Sequence, residues 1–311
     1  MEQRRIDELK YRIGLDVHDP YGRESWHSGS CVRVEGDMVF FTGNDGFLRV
    51  SRMVEDDRGV FDDTPGTEVK IPHGKLGFER ILSLATSQTE THSFQVAARR
   101  RHGVSVYSVI EADTVRRGPS LPCSRGLAAS CWLGEDIVTM EADTVLASWD
   151  LETAARVTQF QKTEGSLTWD WADLAASHHP RSVLVAERTE VRSVDTRSGA
   201  GARLELGLDG LDHVRAVDGD VTRPLCYVMT DEKLLLCDLR QSRGPVMSRD
   251  TAVGTWSPAA NYCRRRIEGR DWVVMGDRWG DMKVCVMDWT HDTCASWQPE
   301  SEHVSRRCVD T

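Results

Sequence analysis

Four aspartates, Asp150, Asp195, Asp238 and Asp288, each follow an apolar strand-like run, and they recur roughly every 45 residues. Around them lie six strand pairs joined by polar turns. The pairs are Asp37–Thr42 with Phe47–Met53, Ser93–Ala98 with Val104–Ile110, and Asp136–Met140 with Thr144–Leu151. The other three are Ser182–Ala186 with Glu190–Thr196, Pro224–Met229 with Lys233–Leu239, and Asp271–Met275 with Asp281–Trp289. The linking turns supply the Gly, Asn, Asp or charged residues that hairpins require. Runs such as Leu234-Leu235-Leu236-Cys237 are apolar at every position, so both faces of the strand must be covered. An isolated hairpin cannot do that, whereas a sheet stacked between two others can.

This repeat predicts an all-β fold, a WD40-like β-propeller of six or seven four-stranded blades over 28–300. A short N-terminal arm over 1–27 precedes it and a tail over 301–311 follows. Ile6, Leu9 and Ile13 have helical spacing in the arm, but a short helix without tertiary contacts is marginal. Fourth strands are expected at Val69–Ile71, Arg156–Phe160, Arg203–Leu206 and Val246–Arg249. First strands are expected at Ile81–Leu84, Leu127–Trp132 and His213–Val217. Trp149-Asp150 ends a third strand in the WD manner. Gly-His dipeptides are absent, so the Asp-His network of regular repeats has no counterpart and the repeats read as divergent.

Hydrophobic residues make up 40% of the 311, enough for a sizeable core. No apolar run approaches the ~20 residues that span a bilayer, and no membrane association is expected. The N-terminal MEQRRIDELKYRIG lacks the apolar stretch of a signal peptide, which predicts a cytosolic or nuclear setting. The net charge of -10 opposes broad contact with a phosphate backbone. The runs Arg99-Arg100-Arg101-His102 and Arg264-Arg265-Arg266 with Arg270 read as solvated loop faces. The nine cysteines include no Cys-x-x-Cys, and Cys226, Cys237 and Cys285 read as small buried hydrophobes.

No catalytic constellation is visible. The carboxylates are scattered over turns, and neither Gly-x-Ser-x-Gly, a phosphate-cradling glycine loop nor His-Glu-x-x-His occurs. His178-His179 beside Pro180 reads as a turn, because adjacent side chains point apart. The expectation is a non-enzymatic binding protein without metal or cofactor.

The stretch Leu167–Gly199 is the most distinctive. Trp169 and Trp171 are two apart and share one side of an extended segment. They either pack on a neighbouring blade or anchor a partner. Arg181 and Arg188 are expected to pair with blade carboxylates, and Asp195 and Arg197 to close the blade through a hydrogen-bonded turn.

At these residues the chain resembles the C-type TATA-box-binding-protein-associated factors of RNA polymerase I, the propeller subunits of selectivity factor 1. The matching positions are Trp169, Trp171, Asp173, Leu174, His179, Pro180, Arg181, Leu184, Ala186, Arg188, Thr189, Asp195 and Arg197. With the flanking repeats, the resemblance covers about Gly126–Trp289. Glu190 stands where the family often has glycine, and one extra residue separates Ala175 from His179.

The resemblance implies a scaffold in the nucleus and nucleolus, without cofactor or catalysis. It would link TATA-box-binding protein and sister associated factors at the ribosomal RNA promoter and recruit the RNA polymerase I machinery. Partner binding is then expected at Trp169, Trp171, Asp173, His179, Pro180, Arg181, Arg188 and Thr189. The family's helical region and basic tail have no counterpart in 301–311, so DNA contact is expected to be indirect or weak. A rival from another class is a substrate receptor of a cullin-RING ubiquitin ligase. Such receptors carry Asp-x-Arg boxes after third strands, as do Asp195-Thr196-Arg197 and Asp238-Leu239-Arg240 here. A generic interaction propeller is the third reading.

Overall fold

A computed structural model of the chain describes residues 32–35, 38–42, 47–55, 61–63, 67–70, 81–90, 93–100, 102–110, 114–123, 127–141, 145–161, 172–187, 189–208, 212–241, 244–250, 261–267, 270–276, 282–287 and 296–297. The arm over 1–27, the tail over 301–311, and Trp169, Trp171, Arg188 and Asp288 lie outside them. Among the described residues every regular element is a strand.

Two compact units divide between Trp169 and Asp170. The first unit holds three sheets. One consists of β1 (Val32–Glu35), β2 (Met38–Thr42) and β3 (Phe47–Glu55), with β4 (Phe61–Asp63) and β5 (Thr67–Lys70) both pairing β3. The second runs β6 (Ser83–Glu90), β7 (Ser93–Arg100), β8 (Gly103–Ile110), β9 (Thr114–Pro122). The third runs β10 (Leu127–Leu133), β11 (Asp136–Glu141), β12 (Val145–Asp150), β13 (Ala155–Gln161).

The second unit holds the other three. The fourth sheet is β14 (Ala172–Ala176), β15 (Ser182–Glu187), β16 (Glu190–Asp195), β17 (Gly201–Leu204). The fifth is β18 (Val214–Gly219), β19 (Leu225–Thr230), β20 (Lys233–Asp238), β21 (Met247–Asp250). The sixth is β22 (Asn261–Ile267), β23 (Arg270–Gly276), β24 (Met282–Met287), β25 (Ser296–Trp297). Except for the doubled outer strand of the first, each sheet is a simple antiparallel meander, and all six predicted hairpins are present.

The apolar runs are explained by alternation between two cores. Along β19 and β20, Cys226, Val228, Leu235 and Cys237 join a cluster with Leu184, Val191 and Val217 of the flanking fourth sheet and β18. Leu225, Tyr227, Met229, Leu234 and Leu236 join another with Val273 and Met275 of the sixth sheet. Period-two geometry sends successive side chains to opposite faces, so an inner strand clad on both sides is apolar throughout. In the first unit, β7 and β8 do the same. Val96, Ala98, Tyr107 and Val109 pack with Phe40 and Leu48, while Ala97, Val104 and Val106 pack with Trp132 and Trp149.

Trp149, 3% exposed, donates from Nε1 to Thr139 Oγ1 at 2.9 Å, and the Arg156 guanidinium lies 4.8 Å from its ring. Trp149→Phe leaves the fully buried Thr139 hydroxyl without that donor. A loss of about 1–3 kcal/mol is expected, read as a lower melting temperature; an unchanged melt would show that the bond contributes nothing.

Two sequence expectations are corrected here. The Arg264 run is not a loop: it lies in β22, and the Arg264 side chain is 13% exposed, ion-paired to Asp218 at 2.5 Å and Asp271 at 3.2 Å. Arg99 lies in β7, 7% exposed, donating from Nε to Ser83 Oγ at 2.8 Å. A guanidinium can be buried where acceptors on neighbouring strands meet its fixed fork of donors, and these acceptors lie 7 to 46 positions away in sequence.

Candidate interaction surface

The aspartates that end β12, β16 and β20 perform the same local task. Each carboxylate accepts the backbone N–H two residues on. Asp150 takes Glu152 N at 2.9 Å, Asp195 takes Arg197 N at 2.8 Å, and Asp238 takes Arg240 N at 3.0 Å. This is the turn closure expected for Asp195, repeated in three sheets, and it explains why aspartate recurs at this spacing.

In the fourth and fifth sheets the third residue is arginine, and it folds back on its own aspartate. Arg197 donates from Nε to Asp195 Oδ1 at 3.2 Å and from Nη2 to Oδ2 at 2.7 Å. Arg240 repeats the arrangement on Asp238 at 2.9 and 2.6 Å. The Arg197 bonds hold the Asp195 carboxyl far below the usual carboxylate range, and the Arg240 bonds do the same to a lesser degree for Asp238. Both arginines stay largely exposed, 59% and 70% by side chain. Each therefore presents an oriented guanidinium edge, with its charge balanced by its partner.

The β14–β15 connection lies at the same end of the fourth sheet as the Asp195 turn. His178, His179, Pro180 and Arg181 are exposed there. Thr196 ties the two segments together, donating from N and Oγ1 to Arg181 O at 2.9 and 3.1 Å. Arg181 was expected to pair with a blade carboxylate; its side chain instead makes no ion pair among the described residues. His178 lies within electrostatic reach of Asp238, linking this end of the fourth sheet to that of the fifth.

At that end of the fifth sheet is a depression of about 510 Å³ lined by Arg223, Pro224, Asp238, Arg240, Pro245 and Val246, among others. Val246 and the nearby turn residue Val221 are two large apolar side chains left 55% and 64% exposed.

The candidate residues thus separate. His179, Pro180, Arg181, Asp195, Arg197, Asp238 and Arg240 share one end of two neighbouring sheets. Thr189 sits at the other end, in the β15–β16 turn. Asp173 is engaged inside the fold: Oδ1 accepts Leu174 N at 3.0 Å, and Oδ2 accepts Val217 N of β18 at 3.0 Å. It joins two sheets by capping an N–H of β18, which ends its sheet and pairs only β19.

Sequence reasoning missed the charged network beside this surface. Asp271 is fully buried and accepts from Arg223 Nη2 at 2.5 Å, Tyr227 Oη at 2.8 Å and Arg264 Nη1 at 3.2 Å. Asp220 accepts from Thr222 N and Oγ1 at 2.9 and 2.7 Å and from Arg223 Nε at 2.6 Å. Burial alone would raise both acids. The Thr222 and Arg223 bonds outweigh it and hold Asp220 at about 2, and Arg223, Tyr227 and Arg264 hold Asp271 below its usual value. The local signal was Asp220-Val221-Thr222-Arg223, an aspartate-initiated turn.

No protein-family model matches the chain, and no curated protein matches it. Solved structures do, in 1327 chains. Among them is the C-terminal WD40 domain of Sif2, with a TM-score of 0.58 and 14% identity over 86% of this chain and 70% of that one. At that identity the likeness speaks for fold alone. The chain has the all-β WD40-like propeller fold, built from the antiparallel sheets described above.

Proposed function

We propose that this chain is a non-enzymatic interaction propeller, and within that class a scaffold of the RNA polymerase I preinitiation complex. In this reading it acts in the nucleus and nucleolus, holding TATA-box-binding protein and sister associated factors at the ribosomal RNA promoter. The observation that carries the reading is the exposed His179-Pro180-Arg181 segment tied to the Asp195–Arg197 turn. It supplies an exposed arginine without an ion pair among the described residues, and a rigid proline, on residues that also carry the family resemblance. Arg181 suits a partner contact because arginine brings a planar set of donors that a desolvated interface rewards.

The test is affinity purification of the tagged chain from nuclei. Recovery of TATA-box-binding protein with ribosomal promoter DNA is expected. Arg181→Glu should cut that recovery at least tenfold without changing the melting temperature, since the side chain is exposed and makes no ion pair among the described residues. Recovery of neither component would overturn the reading.

The matched Asp195–Arg197 and Asp238–Arg240 turns favour a second reading, a substrate receptor of a cullin-RING ligase docking through both arginines. If it holds, a cullin adaptor co-purifies, and the Arg197→Ala, Arg240→Ala double variant loses it with little change in fold. Retention of the adaptor by the double variant would sink this alternative.

A further inference from the structure

At the Asp238 end of the fifth sheet, the cations stand outside the acids that balance them. The Arg240 side chain is 70% exposed, and the Asp238 side chain behind it is 8% exposed. Arg223 likewise covers Asp220 and Asp271, which are buried. An approaching partner therefore meets guanidinium groups first, on a chain whose net charge is -10. Arg240 is also held in place. Asp238 takes Nε and Nη2, while Nη1 has no hydrogen-bond partner among the described residues. Its two N–H groups are left for an incoming acceptor.

The depression these arginines border is preformed and has an apolar wall. Pro224, Pro245 and Val246 line it together with Arg223, Arg240 and Gln241. Backbone bonds pin it on each side: Leu239 N donates to Pro224 O at 2.8 Å, Gln241 N to Asp238 O at 3.0 Å, and Val246 N to Leu236 O at 2.7 Å. Gly244 turns the chain at a φ of 78°, which a residue with a Cβ rarely adopts. A volume of about 510 Å³ falls in the range of ligand sites, and a pinned wall spares a ligand the cost of ordering it. Val246 is exposed at the rim although apolar, so covering it is favourable.

We propose that this depression binds a short acidic segment of a partner protein. An aliphatic side chain of the segment packs against Pro224, Pro245 and Val246, and a neighbouring carboxylate accepts from Arg240 Nη1 in a charge-assisted pair. The outward guanidinium groups select an anionic partner, and the apolar wall selects one that also carries an aliphatic residue. No aromatic ring lines the depression, so nothing there stacks a base, which favours a peptide over a nucleic acid strand. The proposal rests on the interaction-propeller reading and on neither of the two assemblies put forward for it.

The test titrates the purified full chain into a fluorescein-labelled eight-residue peptide, one leucine followed by two glutamates among serines and glycines, and reads polarisation. Saturable binding is expected, at least tenfold weaker when serine replaces the leucine or glutamines replace the glutamates. Arg240→Ala and Val246→Asp should each weaken it at least tenfold, the first by uncovering Asp238 and the second by placing a carboxylate on the wall. Both change exposed side chains, and thermal melts check that both fold. Arg203→Ala, which removes an exposed arginine paired to Glu190, should bind like the wild type. No saturable binding, or wild-type affinity in either Arg240→Ala or Val246→Asp, overturns the proposal. So does tighter binding of an oligothymidine of equal length, which would assign the surface to nucleic acid. Because the titration contains no nuclear extract, it can fail while the polymerase I purification succeeds, and the reverse.

Discussion

Gly219→Ala is expected to destabilise the 170–311 unit severely. Gly219 is the last residue of β18, and a Cβ placed on it would stand 1.8 Å from Ala176 O and 2.9 Å from Ala176 C. Neither atom is a side-chain tip that can swing away: both belong to the backbone of β14. The two sheets must therefore part along a contact that also carries the Asp173–Val217 bond and the Leu184 and Val217 packing. Overfilling a packed core by one methylene ordinarily costs about 1–3 kcal/mol. With backbone on both sides, the cost here should exceed about 3 kcal/mol, at the severe end for one substitution. That corresponds to a melting temperature lower by roughly 6–12 °C. Gly207→Ala is the control: φ is +63° with nothing within 4 Å of its Cβ, so only left-handed strain applies, about 1–2 kcal/mol. If Gly219→Ala melts with the wild type, the close approach of the two sheets is wrong.

Asp271→Ala is expected to cost about 3–5 kcal/mol, the range for removing one partner of a buried ion pair. It leaves the Tyr227 hydroxyl without its acceptor and removes a carboxylate shared by Arg223 and Arg264. Asp218 and Asp220 remain, but neither lies opposite both arginines as closely. The network also predicts the acid behaviour. Asp220 and Asp271 titrate lower in the folded chain than in the unfolded one, where aspartate sits near ~3.9. Their contribution is therefore complete above the unfolded value and disappears as pH falls from ~4 toward the folded value. Urea midpoints measured from pH 6 to pH 2.5 should drop across that window. The drop should be shallower in Asp271→Ala, which starts lower; parallel curves for the two proteins would exclude Asp271 as a source of the acid sensitivity.

The inner strands were legible because a strand clad on both faces reads as an apolar run, and Leu234 to Cys237 needs no further context. Outer strands were less so. β9 contains Arg116, Arg117, Gly118 and Pro119 and was not among the expected strands; it survives as a strand because an edge tolerates proline at a bulge. β22 was hidden by its arginines, since nothing adjacent in sequence announces the Asp218 and Asp271 carboxylates that accept Arg264. Asp173 read as a partner contact for the same reason: its acceptor role is defined by Val217, on another sheet. The Asp-x-Arg turns were visible because all their atoms come from three consecutive residues.

Local chemistry therefore determined the strand repeat, the hairpin turns and the aspartate-closed ends of the third strands, since each depends on side-chain alternation or on residues within a few positions. Tertiary structure alone decided which charges are buried, which arginines face solvent, and where glycine is required. Those outcomes depend on what a neighbouring sheet places opposite a residue some 45 positions away, and a linear pattern carries no record of that distance in space.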